Sequence, residues 1–572
     1  MEKSCPQCAS SFSTDPERIA FLDSRGIPHP TLCPDCRQQR RLAFRNERSL
    51  YHRQCDLCKK QIISVYSPDK PLTVYCAACW YGDKWNPLAY GRDYDFNRPF
   101  FDQFKELLNE VPALANMVFN SVNCEYNSFC VNSKDCYMSA RVGDSEKVLY
   151  SYLPLHSLSC ADCAIITECQ YCYECFDCRN CYNLLFSRHC KTTSDSAFCY
   201  DCIGCKNCIG CVGLRNCEYY VFNKKCTKDE YEKFKTENTL ASRANIQKLN
   251  EKFNAELLKH PHRAAIIQNA ENASGDYIVD SKNIHNCFDV EKSDTAYDSF
   301  GVEYSKDIHD GSFIYYGENC YENIANSQSS NILFSAVTIG GNFDLQYCFS
   351  CVNGANNSFG SVSLNKHGYC ILNKQYSKEE YAALIPKIIA HMKKNRAHGA
   401  RAEESGFAGS GAHDQEYGEF FPATISPFAY NESVANGYYP LTRESVMEKG
   451  WKWKESETKE TEQMNYKIPD MIFDVSDSII NETLSCRNPQ GGGECGKSYK
   501  LVAREIEQYR LFNVAVPDKC PDCRYVSRSA FHNPRKPHSR NCAKCSSPIQ
   551  TTFAPSRKEK VYCESCYLKE VY

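Results

Sequence analysis

Eighteen cysteines between Cys124 and Cys226 stand apart by multiples of three residues: Cys124, Cys130, Cys136, Cys160, Cys163, Cys169, Cys172, Cys175, Cys178, Cys181, Cys190, Cys199, Cys202, Cys205, Cys208, Cys211, Cys217 and Cys226. A period of three or six held over about 100 residues fits neither a helix at 3.6 nor a simple strand at 2. Fixed short periodicity marks a solenoid, in which equivalent positions stack from coil to coil. A narrow β-helix is expected. Asn, Asp and Ser crowd the neighbouring positions, as in Asn132-Ser133-Lys134-Asp135, and suit the corners of tight coils.

A second copy follows roughly 150 residues later. Asn223-Lys224-Lys225-Cys226-Thr227-Lys228-Asp229-Glu230-Tyr231 aligns with Asn373-Lys374-Gln375-Tyr376-Ser377-Lys378-Glu379-Glu380-Tyr381. Cys202, Cys205, Cys208 and Cys211 then fall on Val352, Ala355, Ser358 and Ser361, and Cys130 and Cys136 on Ile278 and Ile284. A ligand replaced by Val, Ala or Ile no longer binds, whereas free Cys packs as a small hydrophobe. Packing is therefore the favoured role of these thiols. Metal or cluster binding by the dense 160–211 stretch and redox chemistry stay as alternatives, although a redox pair needs an accessible thiol of low pKa. The run also resembles the small cysteine-laddered β-helices of insect antifreeze proteins. It lacks their threonine rows, so that likeness implies no activity.

The two ends carry a different cysteine pattern. Cys33-Pro34-Asp35-Cys36-Arg37 matches Cys520-Pro521-Asp522-Cys523-Arg524. Cys36 to Cys55 and Cys523 to Cys542 both span 19 positions, Cys58 to Cys76 and Cys545 to Cys563 both span 18, and Cys8 to Cys33 and Cys495 to Cys520 both span 25. Each end closes on a C-x-x-C, Cys76/Cys79 and Cys563/Cys566. Only the first knuckle differs: Cys5-x2-Cys8 at one end, and at the other Cys486-x8-Cys495, opened by Pro489 and Gly491-Gly492-Gly493. Paired knuckles of this spacing make four-thiolate zinc ribbons, two per end and four Zn²⁺ per chain. Such small ribbons draw much of their stability from the metal. A closed four-Cys site has no open position, so all four zincs are read as structural.

The length of 572 residues predicts roughly three to five domains. Thirty-nine cysteines would fit a secreted disulfide protein, but Met1-Glu2-Lys3-Ser4-Cys5 enters a knuckle directly and no apolar run is long enough to span a membrane. A reducing cytoplasm and no membrane association are expected. The net charge of −3 hides a polarity. Residues 1–100 carry 15 basic against 11 acidic residues, 480–572 carry 16 against 9, and 101–479 carry 36 against 50. Each four-thiolate site adds about −2, so the basic signal at the ends is modest.

Capping boxes at Thr227-x-x-Glu230 and Ser377-x-x-Glu380 start helices over about 228–258 and 378–395 that cap the open solenoid ends. A helix over about 100–120, with Phe104, Leu107, Leu108, Val111 and Leu114, would cap the entry side. Residues 397–416 read as a flexible linker. The aromatic stretches Tyr417–Pro422, Ser426–Asn431 and Trp451–Trp453 read as a strap on another domain, with a partner surface as the alternative. The expected fold is multidomain and mainly β: tandem zinc ribbons at 1–95 and 481–572 flank a duplicated β-solenoid. The remaining divisions are the first solenoid copy with its entry helix at 96–226, a capping helix at 227–262, the second copy at 263–376, a capping helix at 377–396, the linker at 397–416 and the aromatic strap at 417–480.

The pattern Cys5-Pro6-Gln7-Cys8 through Pro30-Thr31-Leu32-Cys33-Pro34-Asp35-Cys36-Arg37-Gln38-Gln39-Arg40-Arg41, together with the Gly-Glu-Phe-Phe-Pro and Ser-Pro-Phe-x-Tyr-Asn stretches, resembles the CPxCR-type, cysteine-rich zinc-ribbon proteins of candidate-phylum bacteria. The resemblance covers most of the chain. It implies metal and architecture, and no activity.

Three functions are weighed. The first is a non-enzymatic scaffold binding nucleic acid or a ribonucleoprotein. Arg37, Arg40, Arg41, Arg45, Arg48 and Arg53 follow the N-terminal ligands, and Arg524, Arg528, Arg535, Lys536, His538 and Arg540 the C-terminal ones. Interleaved with Phe44, Tyr51, Tyr525 and Phe531, they could grip phosphates and stack on bases. The second is a scaffold for protein partners, with the basic ends bridging to the acidic middle. The third is chemistry: a thiol-rich metal store, a redox protein or a hydrolase. No P-loop, G-x-S-x-G or H-E-x-x-H is present, and His260 and His262 have no acidic or cysteine cluster beside them in sequence. The expectation is that the chain is not an enzyme; its oligomeric state is open.

Overall fold

The computed structural model describes residues 2–303, 306–309, 311–318, 321–324, 327–394, 416–455, 466–487, 495 and 497–572. The expected linker lies outside them except for Glu416, as do Pro489 and Gly491–Gly493.

The period of three has a backbone cause. From Phe129 to Phe222 every third residue has positive φ, near +50°. A left-handed residue turns the chain sharply and costs roughly 1–2 kcal/mol unless it is Gly, Asn or Asp. Asn, Asp and Gly accordingly recur there, as at Asn132, Asp135, Asp144, Asp162, Asp177, Asn180, Asn183, Gly204 and Gly210. Parallel pairing fixes the coil length. Tyr152 pairs with Ala164 and Ala164 with Phe176, so one coil is 12 residues and four corners. Side-chain amides tie the corners of successive coils, with Asn123 donating to Asp135 at 2.8 Å and Asn183 to Asp195 at 3.0 Å.

The residue after each corner points inward. One inward column runs Cys136, Val148, Cys160, Cys172, Leu184, and all five are buried. Another carries Ser139, Ser151, Cys163 and Cys175. The Ser139 hydroxyl accepts the Ser151 amide at 3.0 Å, and the Ser151 hydroxyl accepts the Cys163 amide at 3.0 Å. Thiols donate to carbonyls in the same way: Cys160 Sγ lies 3.4 Å from Leu158 O and 3.5 Å from Cys169 O. Cys therefore stands where Ser, Val or Leu stands one coil away. Packing accounts for these thiols, and no described cysteine is in a disulfide.

The chain divides into two units. One joins Met1–Asn116 with Ala265–Glu455, and the other joins Met117–Ala264 with Ser456–Tyr572. Each therefore unites a terminal segment with the solenoid copy remote from it in sequence.

In the Met117–Ala264 unit the solenoid starts at Val118–Phe119 and ends at Glu218–Val221, where Lys224–Lys225 folds back antiparallel. The Asn223 amide closes the edge by binding Val212 N at 2.7 Å and Val212 O at 2.8 Å. The capping box is present, with Thr227 Oγ1 accepting from Glu230 N at 3.2 Å and Glu230 accepting from Thr227 N at 2.8 Å. Its helix, Lys228–Glu237, packs on the last coil. The expected single helix over 228–258 is two helices. The second, Arg243–Leu257, starts afresh because the Ser242 hydroxyl accepts from Asn245 N.

In the other unit the solenoid runs from Ile267–Gln268 to Gly368–Ile371. Its first coil holds 11 residues, with Ile267 paired to Ile278, and later coils hold 12, except that Ser330 pairs with Phe343 and Phe343 with Asn356, 13 residues apart. Those two added residues are why Cys130 and Ile278 lie 148 positions apart but Cys208 and Ser358 lie 150. Only the first precedes position 352, so the expected match of Cys202 with Val352 is off by one: Cys351 O accepts from Ile339 N as Cys202 O accepts from Lys191 N. Asn373 binds Val362 as Asn223 binds Val212, and Ser377 and Glu380 complete the capping box of Lys378–Lys394.

The helix expected over 100–120 covers only Phe100–Glu110. Pro112 disfavours helix at Val111, and Ala113–Leu114 instead pairs with Val74–Tyr75. It was expected to cap the entry of the first solenoid, and it belongs instead to the unit of the second. It packs on the flank of the second, with Phe100 against Tyr347 and Phe359 at centroid distances of 5.2 and 5.4 Å. Of the expected strap at 417–480, residues 417–455 belong to this same unit and the rest to the other. Phe421 stacks on Phe104 at 4.6 Å, Phe428 on Tyr66 at 5.2 Å and Tyr430 on Trp451 at 5.2 Å.

Candidate metal centres and the arginine clamps

All sixteen terminal cysteines gather as the spacing predicts. Cys5, Cys8, Cys33 and Cys36 form one group and Cys55, Cys58, Cys76 and Cys79 the next. Cys486, Cys495, Cys520 and Cys523 form the third and Cys542, Cys545, Cys563 and Cys566 the fourth, with the sulfurs of each group within 4.8 Å of one another. Local structure explains the convergence. In three groups the first knuckle is a tight turn: Ala9 N donates to Cys5 O, Lys59 N to Cys55 O and Ser546 N to Cys542 O. The residue after the second cysteine of each is left-handed, at φ 59°, 62° and 62°. In all four groups the second knuckle starts a helix, with Cys33, Cys76, Cys520 and Cys563 at the N-cap. A helix N-terminus favours thiolate there.

The donor set fits a tetrahedral ion. Metal–sulfur bonds of about 2.3 Å place sulfurs about 3.8 Å apart. Cys8 and Cys33 are 3.6 Å apart, Cys58 and Cys76 3.8 Å, and Cys545 and Cys563 3.7 Å. Amides also point at the sulfurs: Cys76 N lies 3.3 Å from Cys55 Sγ, Cys520 N 3.1 Å from Cys486 Sγ and Cys563 N 3.3 Å from Cys542 Sγ. A hydrogen bond from Cys36, partly opposed by burial, lowers the Cys33 thiol to about 5. Burial raises Cys542, but the amides of Cys545 and Cys563 bring it down to about 6. Burial raises Cys5, Cys76, Cys79, Cys486 and Cys523, and hydrogen bonds from the neighbouring ligand thiol raise Cys36 and Cys566, so each group divides between lowered and raised thiols. In the solenoid the shifts are upward. Burial pushes Cys178 up to about 11 and Cys175 and Cys190 well above the ordinary thiol range. They are held protonated, unlike metal-bound thiolates.

The arginines after the ligands were expected to face a polyanion. Six of the seven principal ones do not: Arg37, Arg40, Arg41, Arg45, Arg524 and Arg528 are all buried. Arg40 reaches Glu419 Oε2 at 2.8 Å and both Glu322 oxygens at 2.8 and 2.9 Å. Arg37 donates to Leu32 O at 2.6 Å and lies 3.8 Å from both Asp298 and Glu322. Arg41 lowers the Glu322 carboxyl alongside Arg40 and Arg37, although burial dominates and leaves that carboxyl raised. Arg45 pairs with Glu47.

In the other unit the pattern repeats. Arg524 and Arg528 grip the two oxygens of Asp162 at 2.7 Å each, and Arg524 also reaches Glu505 at 3.0 Å. Arg528 further donates to Tyr150 O at 2.9 Å and lies 3.7 Å from Glu174. Arg524 rides over the Tyr150 ring at 4.6 Å. Charges this deep need such partners. Arg540 is half-buried and donates to Ala554 O and Glu559 O at 3.4 and 3.3 Å. Arg53, its N-terminal counterpart, binds Asp56 and Leu72 O.

The clamp acids Asp162, Glu174 and Glu322 sit at solenoid corners, at φ 52°, 51° and 46°. Sequence reading did not single them out. Their signal is that Asp162 and Glu174 recur as Asp310 and Glu322, 148 positions on; Asp310 lies outside the described residues. His262 likewise has a structural partner set, since its Nδ1 faces Tyr200 OH at 3.1 Å and its Nε2 faces Leu257 O at 3.2 Å. Burial lowers its pKa to about 4.

No family model, curated protein or solved structure matches the chain. No helix among the described residues is long and apolar enough to cross a membrane.

Proposed function

We propose that the protein is a non-enzymatic, cytoplasmic scaffold that binds protein partners and whose terminal segments are zinc ribbons holding four structural Zn²⁺. The observation that carries this reading is the pair of clamps: the arginines best placed for phosphate contacts are committed to solenoid carboxylates. The terminal segments thus serve as internal braces. That favours protein partners over nucleic acid, which was the leading expectation from sequence. Long regular flanks suit partner binding, and on the first solenoid Val122, Val131, Met138 and Tyr182 are each at least 40% exposed.

Zinc would hold each knuckle pair together, and with it the helix that presents the arginines. Cys523→Ser is expected to lower the zinc content by about one ion per chain. Titration of the zinc-loaded chain with single- and double-stranded oligonucleotides at low and moderate salt tests the partner class. No salt-dependent binding is expected. A binding constant that falls steeply with salt, with a slope set by several phosphate contacts, would overturn the protein-partner reading.

A further inference from the structure

The two terminal segments offer a solenoid nearly the same surface. Both span 25 positions between their first two knuckles, so Arg37 and Arg41 stand where Arg524 and Arg528 stand. The solenoid copies match in turn: with Cys130 aligned on Ile278, Glu174 falls on Glu322. The buried Arg40 stands where Ser527 stands, but its acid Glu322 has Glu174 as its counterpart in the other copy; one other charged difference on each side has no such match. Arg18 stands where Glu505 stands, and Asp298 where Tyr150 stands.

These differences are complementary. Arg18, on the helix Pro16–Ser24, places Nη1 3.0 Å from Asp298 Oδ2, with its side chain 1% exposed. Glu505, on the helix Ala503–Phe512, accepts from Tyr150 OH at 3.0 Å and from Arg524 at 3.0 Å, also 1% exposed. An exchanged pairing would bring Glu505 against Asp298, two carboxylates in a buried site. It would also bring Arg18 against Tyr150, which leaves a buried guanidinium without its acid. Each mismatch is costly in a desolvated contact.

Chain connectivity makes such discrimination necessary. The N-terminal segment is followed directly by the first solenoid, yet it docks on the second; the C-terminal segment follows the second and docks on the first. Closing short loops costs less entropy, so sequence-adjacent pairing would be favoured if the surfaces were equivalent. We propose that the Arg18–Asp298 and Glu505–Tyr150 pairs sort the two terminal segments between the two solenoids and enforce the crossed pairing.

The test uses the full-length, zinc-loaded chain and crosslinking mass spectrometry, counting crosslinks that join each terminal segment to the solenoid of its own unit. The double variant R18E/E505R exchanges the two codes, so each end then matches the other solenoid. The parental crosslinks of both ends are expected to fall by at least about tenfold. Adding D298Y and Y150D exchanges the solenoid partners as well, and the quadruple variant is expected to recover the parental crosslinks to within about twofold. Parental crosslinks in the double variant overturn the proposal. So does a quadruple variant that behaves like the double, whether re-paired or insoluble.

Discussion

Asp162 shows how a single corner residue acquires weight. Its left-handed backbone suits an acid, its side chain is fully buried, and two guanidinium groups claim its two oxygens. Removing one partner from such a cluster costs about 3–5 kcal/mol. Asp162→Ala should therefore lower the unfolding free energy of its unit, read from denaturant titration, by that amount, and Asp162→Asn by less. Cys172 is the opposite case. It donates to Gln170 O at 3.4 Å in a column shared with Val148 and Leu184. Cys172→Ser should cost no more than about 1.5 kcal/mol and leave the metal content unchanged.

Glu416 gives a pH signature. It accepts from Phe100 N and Phe101 N at 3.0 Å each, yet burial raises its pKa from 4.5 to about 7. A carboxyl raised on folding stabilises the fold when protonated. Stability is thus greatest below about pH 4.5 and is lost as pH rises through about 7, at roughly 1 kcal/mol per unit across that window. Urea unfolding against pH should show this contribution, and Glu416→Gln should remove it.

Among the elements, the solenoid and its capping boxes were legible because each rests on local chemistry, whereas the fold-back ends emerged only from the structure. Period three sets the corners, Asn223 and Asn373 close the edges, and Thr227 and Ser377 start the capping helices. The length of the Phe100 helix was misread because its apolar spacing runs past Pro112. Its docking site was misread because the aromatic face of the second solenoid is remote in sequence. Basic ends bridging to the acidic middle stood as an alternative, but the acids could not be named, since they lie 282 residues away for Arg40 and 362 for Arg524. Left-handed φ is commonplace in these coils, so Gly360 is required for another reason. A Cβ there would meet the Phe100 ring at 2.7 Å. Gly360→Ala should displace that helix and lower the stability of its unit by about 1–3 kcal/mol, as thermal unfolding would report.

At the scale of the whole molecule, four thiolate groups brace two solenoid units that the chain builds by crossing over. The grouping of all sixteen ligands was readable from spacing alone. The crossing was not, because identical cysteine spacing at both ends gives no sign of which solenoid each end meets. Chelation should release the brace helices, which begin at the ligands, before the coils unfold, since the coils are held by backbone pairing and packed thiols. Circular dichroism of the chelated chain should keep the β signal while helical signal falls. The division of labour between terminal thiolates and interior thiols is the central claim, and metal content per chain tests it most directly. Native mass spectrometry with elemental analysis, on protein purified anaerobically without added metal, should find four zinc ions and no other metal. Clearly more than four, or any iron or copper, would contradict the packed solenoid core.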